Sequence, residues 1–286
     1  MMKDKIVLIT GANSGIGKET TRALAKKGAT IIMACRNLEK AEPVCAMIQT
    51  ESKNPNIKVM KLDLASLQSV RNFTQEFKAR YQKLNVLINN AGVFCMKREE
   101  TEEGFELTMG VNHLGHFLLT HELLPILENT PEARIINLSS DAHSSADLDL
   151  DDLHFKRRKY SGFKAYGSSR LATVFFTQEL AERLKEKDIT VNSLHPGHVD
   201  TNMWDLWRAK RRWYYSLLHG IIKLFLISAE EGAQTSIYLA SSNEVKGITG
   251  KYFTKKKIKA ASEKCSDIKL QKALWQLSER LTGINK

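Results

Sequence analysis

A short apolar run from Lys5 to Thr10 ends in Gly11-Ala12-Asn13-Ser14-Gly15-Ile16-Gly17 and passes at once into a helical pattern. This junction restricts the fold more than any other segment. Glycines at that spacing permit a tight turn and a close approach of helix to strand. The alternation then continues along the chain. Ala29 to Ala34 reads as a strand and Leu38 to Glu51 as a helix. Ile57 to Leu62, Leu67 to Tyr81, Asn85 to Asn89, Gly104 to Leu127 and Arg134 to Leu138 repeat the pair. A helix over about Phe163 to Lys185 and a strand over Ile189 to Leu194 follow, with Lys251 to Thr254 as a last edge strand and Ile268 to Leu281 as a closing helix. Short apolar strands separated by helices of this length predict a parallel sheet covered on both faces. Right-handed crossovers make it an α/β, Rossmann-type doubly wound sheet.

The chain has 286 residues and 42% apolar content, which suits one large domain over 1–286. No Pro/Gly/Ser-rich linker, internal repeat or low-complexity tract divides it. A net charge of +11 and a pI near 9.4 suit an anionic partner such as a nucleotide phosphate, an acidic membrane or nucleic acid. Much of the excess sits at Lys156-Arg157-Arg158-Lys159, Arg208-Ala209-Lys210-Arg211-Arg212 and Lys255-Lys256-Lys257-Ile258-Lys259. Such runs ordinarily make solvated faces, so nucleic acid is not expected as a primary partner. Cys35, Cys45, Cys95 and Cys265 lack metal-ligand spacing and are expected as reduced thiols in a reducing compartment. No signal peptide or N-terminal anchor is expected ahead of the first strand, so the expected location is intracellular, cytoplasmic or peripheral to a membrane, and not secreted.

The glycine turn has a specific chemical use when it joins a first strand to a helix. Gly11 permits the turn, Gly15 and Gly17 let the backbone approach a dinucleotide, and the pyrophosphate meets the positive end of the helix. The end of the second strand reads the adenosine ribose, and an acidic residue there favours NAD. Here the segment is Cys35-Arg36-Asn37. A guanidinium matches a 2′-phosphate in charge and geometry, so NADP(H) is the expected cofactor.

Further along stand Asn89-Asn90-Ala91-Gly92, Asn112, Ser139-Ser140, and Tyr166-Gly167-Ser168-Ser169-Arg170. With the glycine turn these resemble the short-chain dehydrogenase/reductase family, whose signature pairs a Tyr with a Lys four residues later. In this chain the second position is Arg170. The resemblance implies a cofactor site bordered by Gly11, Asn13, Ser14, Gly15, Ile16 and Gly17, by Asp63 and Leu64 at the adenine, and by Asn90, Ala91 and Gly92. It also implies that Pro196, Gly197, Val199 and Thr201 hold the nicotinamide carboxamide, and that Tyr166 and Arg170 contact the cofactor. The implied catalytic set is Asn112, Ser140, Tyr166 and Arg170. Tyr166 is the general acid for reduction, Ser140 the hydrogen-bond donor to the substrate oxygen, and Asn112 the support of a water-mediated proton relay. Ser139 is the less favoured serine of its pair.

Residues i and i+4 share a helix face, so Tyr166 and Arg170 are expected to point into one cleft. A free tyrosine titrates near pH 10, so a nearby cation is needed to bring its proton within reach. The family lysine lowers that pKa, bonds the nicotinamide ribose and feeds the relay. Arg170 keeps the charge but does not readily release a proton, and its planar fork needs different space. The expectation is cofactor binding with chemistry slower than lysine would give. The alternative is a nucleotide-binding pseudoenzyme or sensor.

His113, His116, His195 and His198 lack zinc-motif spacing, and no metal is expected. Ser140 has no Gly-x-Ser-x-Gly elbow, which argues against a hydrolase. Ala34-Cys35-Arg36-Asn37, Thr101-Glu102-Glu103-Gly104-Phe105-Glu106, the run from Asn112 to Thr120, Glu231 to Ser236 and Gly250 to Phe253 resemble the retinol dehydrogenase-like branch. That branch implies a retinoid or another lipophilic aldehyde, ketone or alcohol as substrate. A substrate lid is expected at about 203–228. Its aromatic and basic residues over 204–227 suit peripheral contact with a membrane, and the run is too short to span one. Family members often dimerise through the helices that contain Asn112 and Tyr166, so a homodimer is a further expectation.

Overall fold

The computed structural model describes residues 2–199 and 226–284. β1 (Ile6–Thr10) is buried at all five positions. Among the described residues seven further strands flank it: β2 (Thr30–Cys35), β3 (Ile57–Lys61), β4 (Val86–Asn89), β5 (Ala133–Leu138), β6 (Ile189–His195), β7 (Tyr252–Thr254) and β8 (Lys257–Lys259). They form one sheet in the order β3-β2-β1-β4-β5-β6-β7-β8, parallel throughout except for β8. The strand order reverses between β1 and its neighbours β2 and β4, and a crevice for ligands opens beyond the carboxyl ends of strands at such a reversal.

Side chains alternate across the strands and so supply two cores. Leu8, Ile32, Leu87 and Ile135 face a layer built by α3 (Leu67–Arg80), α4 (107–128), α5 (Gly162–Arg183) and α7 (Ile268–Thr282), with Phe73, Phe117, Phe176 and Trp275 packed there. Val7, Ile9, Ile31 and Ile136 face the opposite layer of α1 (Gly15–Lys26), α2 (Leu38–Ser52) and α6 (Ala229–Ser241). The α/β doubly wound fold is therefore as the alternation predicts.

α4 runs in three consecutive pieces: Leu107–Met109, a π-helical turn Gly110–Gly115, and His116–Glu128. It starts later than the sequence pattern suggests because buried Glu106 accepts from the amides of Thr108 and Met109 at 2.9 and 2.7 Å, capping the helix there. α7 packs across α4 and α5, with His113 Nε2 2.8 Å from Ser278 Oγ and the Trp275 ring 5.0 Å from Phe117. It thus covers part of the two helices on which a homodimer was expected.

Two readings of the sequence need correction. Tyr252–Thr254 is not an edge strand, because β8 pairs antiparallel outside it. Lys255 and Lys256 form the two-residue reversal, both at positive φ (48° and 63°). Such a turn normally uses Asn or Gly, so a lysine run gave no hairpin signal. The exposed lysines of β8 suit an edge strand that must stay unpaired. The second correction is α6, which the initial pattern omitted. Its N-cap Ser228 accepts from Glu231 N at 3.1 Å, a Ser-x-x-Glu start that was present in the sequence.

Candidate active site

The glycine turn lies at the carboxyl end of β1. Gly11 and Gly15 have φ of +63° and +50°, and a side chain on Gly17 would run into the Gly11 carbonyl and lie 2.6 Å from Asn90 Nδ2. These positions therefore require glycine. Ser14 precedes α1 without a side-chain capping bond, leaving first-turn amides of the helix for an anion. The residues present thus fit a dinucleotide pyrophosphate. Asn13 and Ile16 are partly exposed in the same turn and Ser14 is exposed.

Arg36 stands exposed at the end of β2, beside buried Cys35, whose thiol burial pushes up to about 11. Asp63 follows β3, with its Oδ1 accepting from Ala65 N at 3.0 Å, and Leu64 is buried. At the end of β4, Asn90 Nδ2 donates to the Thr10 carbonyl at 2.8 Å, which locks the Asn90-Ala91-Gly92 segment against the glycine turn. Pro196 and Gly197 are partly exposed after β6, Val199 is buried, and Thr201 lies outside the described residues. The expected lid falls outside them as well, apart from its last three positions, 226–228.

A buried hydrogen-bond chain joins these segments. The amides of Asn90 and Ala91 both donate to Thr10 Oγ1 at 2.9 Å, and Thr10 Oγ1 lies 2.9 Å from His116 Nε2. His116 Nδ1 lies 3.2 Å from the Asn112 carbonyl, which only accepts. The proton therefore sits on Nδ1, and Thr10 donates to Nε2. Burial pushes this imidazole down to about 4, with the Arg170 charge acting in the same direction and the Asn112 bond opposing. Sequence reasoning treated His116 as part of a family segment and overlooked this role. Its spacing of four from Asn112 on a helix was the available signal.

The catalytic candidates converge where β5, α4 and α5 meet. Ser139 is buried and donates to the Arg170 carbonyl at 2.9 Å. Ser140 is partly exposed, accepts from Ala142 N at 3.2 Å and donates to Asp141 Oδ1 at 3.1 Å. Asn112 is buried within the π-helical turn. Its Nδ2 donates to the Val93 carbonyl and to Ser169 Oγ, each at 3.0 Å, and its Oδ1 accepts from Val93 N at 2.8 Å. Its side chain thus pins the loop after β4 to α5.

Tyr166 is partly exposed on α5, and its ring meets Phe94 edge-on at 5.6 Å. Arg170 shares its helix face, as the spacing predicts, but is only 4% exposed rather than open in a cleft. Its guanidinium lies 4.9 Å from the centre of the Tyr166 ring, donates from Nη1 to the Leu138 carbonyl at 2.8 Å and turns Nη2 toward Gly92. The buried Nε has no hydrogen-bond partner among the described residues. A permanent positive charge is thus fixed beneath the phenol, between the β4 end and the β5 end.

The short chain dehydrogenase family model matches residues 5–212. The chain belongs to the short-chain dehydrogenase/reductase family. Human retinol dehydrogenase 13 is 43% identical over 281 residues, covering 98% of this chain and 85% of that protein. Mouse retinol dehydrogenase 12 is 42% identical over 98% of this chain and 87% of its own length. These relatives place the chain in the retinol dehydrogenase-like branch. An uncharacterised protein from Mycobacterium paratuberculosis has a similar crystal structure, with a TM-score of 0.80 and 34% identity over 99% of this chain and 94% of that one. A short chain dehydrogenase from Escherichia coli CFT073 complexed with NADPH gives a TM-score of 0.69 and 25% identity, covering 88% and 96%.

Proposed function

We propose that this oxidoreductase transfers hydride between NADP(H) and a lipophilic carbonyl or alcohol, with retinal/retinol or a long-chain aldehyde or ketone as the substrate class. The observation that carries the reading is the convergence of Ser140, Tyr166 and the buried Arg170 charge at the strand ends beside the glycine turn. The names of the retinol dehydrogenase relatives support the substrate class. The exposed Arg36 at the end of β2 supports the phosphorylated cofactor, as does the NADPH complex of the Escherichia coli neighbour.

When bound, a nicotinamide dinucleotide would supply or accept the hydride. Gly11 to Gly17 and the α1 amides would hold its pyrophosphate, Arg36 its 2′-phosphate, Asp63 and Leu64 its adenine, and Pro196, Gly197 and Val199 its nicotinamide carboxamide, with Asn90 to Gly92 bordering it. Ser140 Oγ would turn its one hydroxyl proton from Asp141 Oδ1 to the substrate oxygen, and the Tyr166 hydroxyl gives that oxygen its proton in reduction. The Arg170 guanidinium, 4.9 Å from the centre of the Tyr166 ring, sets a fixed positive charge beside the phenol as that proton leaves. Because arginine holds its protons tightly, it stabilises charge without itself passing a proton on, and turnover is slower than a lysine would give.

The test is NADPH oxidation with retinal, long-chain aldehydes and hydrophobic ketones, run with wild type and Tyr166→Phe. Turnover that falls by about 10²–10⁴ in Tyr166→Phe supports the reading. NADPH binding with no turnover across the panel would favour the pseudoenzyme alternative.

A further inference from the structure

We propose that Asp141, His195 and His198 form a site for a divalent transition ion of the Zn2+ type at the rim of the catalytic crevice. Asp141 Oδ2 lies 2.9 Å from His198 Nε2 and 3.8 Å from His195 Nε2, and the three ligand atoms all fall within 4.8 Å of one another. Zinc bonds to nitrogen and carboxylate oxygen of about 2.0–2.2 Å place neighbouring ligands of a tetrahedron about 3.3–3.6 Å apart. The two separations from Asp141 lie on either side of that spacing.

The sheet explains why residues distant in sequence meet here. β5 and β6 are parallel neighbours with Leu138 opposite Leu194. Asp141 opens the 3-10 turn Asp141–Ser145 just beyond one strand, while His195 ends the other and His198 follows it. Spacing along the chain does not reveal such a set, because Asp141 joins the two histidines only through the pairing of β5 with β6.

The chemistry of the group distinguishes it from its neighbour His143. There Nδ1 is 2.6 Å from the Ser140 carbonyl and Nε2 accepts from Ser262 N at 3.1 Å, so both nitrogens are occupied. By contrast, His195 Nδ1 has no hydrogen-bond partner among the described residues, and the Nε2 atoms of His195 and His198 both face the one carboxylate oxygen. Two imidazoles and a carboxylate match Zn2+ better than Mg2+ or Ca2+, which prefer all-oxygen sets. Three protein ligands leave a fourth position for water, the arrangement of an exchangeable rather than a structural ion.

An ion here would act on parts the reaction uses. Asp141 Oδ1 accepts from Ser140 Oγ at 3.1 Å. The His198 carbonyl accepts from Ile227 N at 2.9 Å, so the loop carrying Pro196, Gly197 and Val199 is tied to the chain segment that returns at Ile227. Holding His198 therefore fixes both the serine's neighbour and the nicotinamide-side loop.

The experiment titrates the metal-free protein with ZnCl2 by calorimetry and with Co2+ by visible absorption. The expected result is one ion per chain, with Asp141→Asn and His198→Gln each weakening binding at least about tenfold. Both residues are exposed, and unchanged melting temperatures would show that the variants fold. Absence of saturable binding would overturn the proposal, as would affinity unchanged in the variants. The Co2+ spectrum of the wild type provides a second test that needs no variant: sulfur-to-metal charge transfer would place the ion at a cysteine and equally overturn it. Because binding is read directly, failure here is distinguishable from failure of the carbonyl-reduction reading.

Discussion

The Arg170 guanidinium lies 4.9 Å from the centre of the Tyr166 ring while donating 2.8 Å to the Leu138 carbonyl. The charge is thus held against the face of the phenol and anchored to the end of β5. Arg170→Met removes the cation and is expected to lower kcat by about 10²–10⁴, since a general acid loses the charge that stabilises its conjugate base. Arg170→Lys is expected to raise kcat, because an ammonium retains the charge and can pass on a proton. Steady-state NADPH oxidation on the three proteins checks both, and a lysine variant no faster than wild type would contradict the second.

Gly92 faces that same guanidinium. A Cβ there would run into Arg170 Nη2 and lie 3.3 Å from Cζ and 3.4 Å from Asn112 Oδ1. In Gly92→Ala the guanidinium must leave the Leu138 carbonyl or the loop must move. Overpacking of this kind costs about 1–3 kcal/mol, to be read as a lower melting temperature with a fall in kcat. Pairing Gly92→Ala with Arg170→Lys relieves the clash, so the double variant should be less impaired than the two single effects added together.

The sequence disclosed the sheet because each buried strand is a short apolar run, and the glycine turn because its spacing is local. It disclosed the partnership of Tyr166 with Arg170 because four residues on a helix define a face. It did not disclose that Arg170 is buried, since that depends on Leu138 and Gly92 from two other strand ends. The hairpin at Lys255-Lys256 was hidden by residues that seldom take positive φ, and the Thr10–His116 contact by a separation that only the folded sheet brings together. The proximity of Asp141 to His195 and His198 was hidden for the same reason, since adjacent strand ends bring them together.

The cofactor preference rests on Arg36. A charged hydrogen-bonded contact is worth about 1.5–3 kcal/mol, which corresponds to roughly tenfold to a hundredfold in affinity. Arg36→Ala is expected to weaken NADPH binding by that factor and leave NADH binding nearly unchanged. Fluorescence titration with both cofactors makes the comparison. Equal losses for the two would mean that Arg36 stacks on the adenine rather than meeting the 2′-phosphate.

Acid should destabilise the protein before its carboxylates titrate. Burial is the main reason that His113 is pushed down to about 3 and His116 and His154 to about 4. In the unfolded chain each takes up its proton near pH 6.5. Between about pH 6.5 and 4 the unfolded state therefore binds more protons than the folded one, and stability falls as the pH falls through that window. Each histidine adds a slope of up to about 1.4 kcal/mol per pH unit. Melting temperatures are expected to be flat from pH 8 to 7 and to drop steadily toward pH 5. His116→Gln removes one titrating group, so its profile should start lower, because the Thr10–Asn112 link is weakened, but decline less steeply. A variant whose melting temperature falls in parallel with wild type would show that His116 does not remain neutral at the junction of the glycine turn and α4.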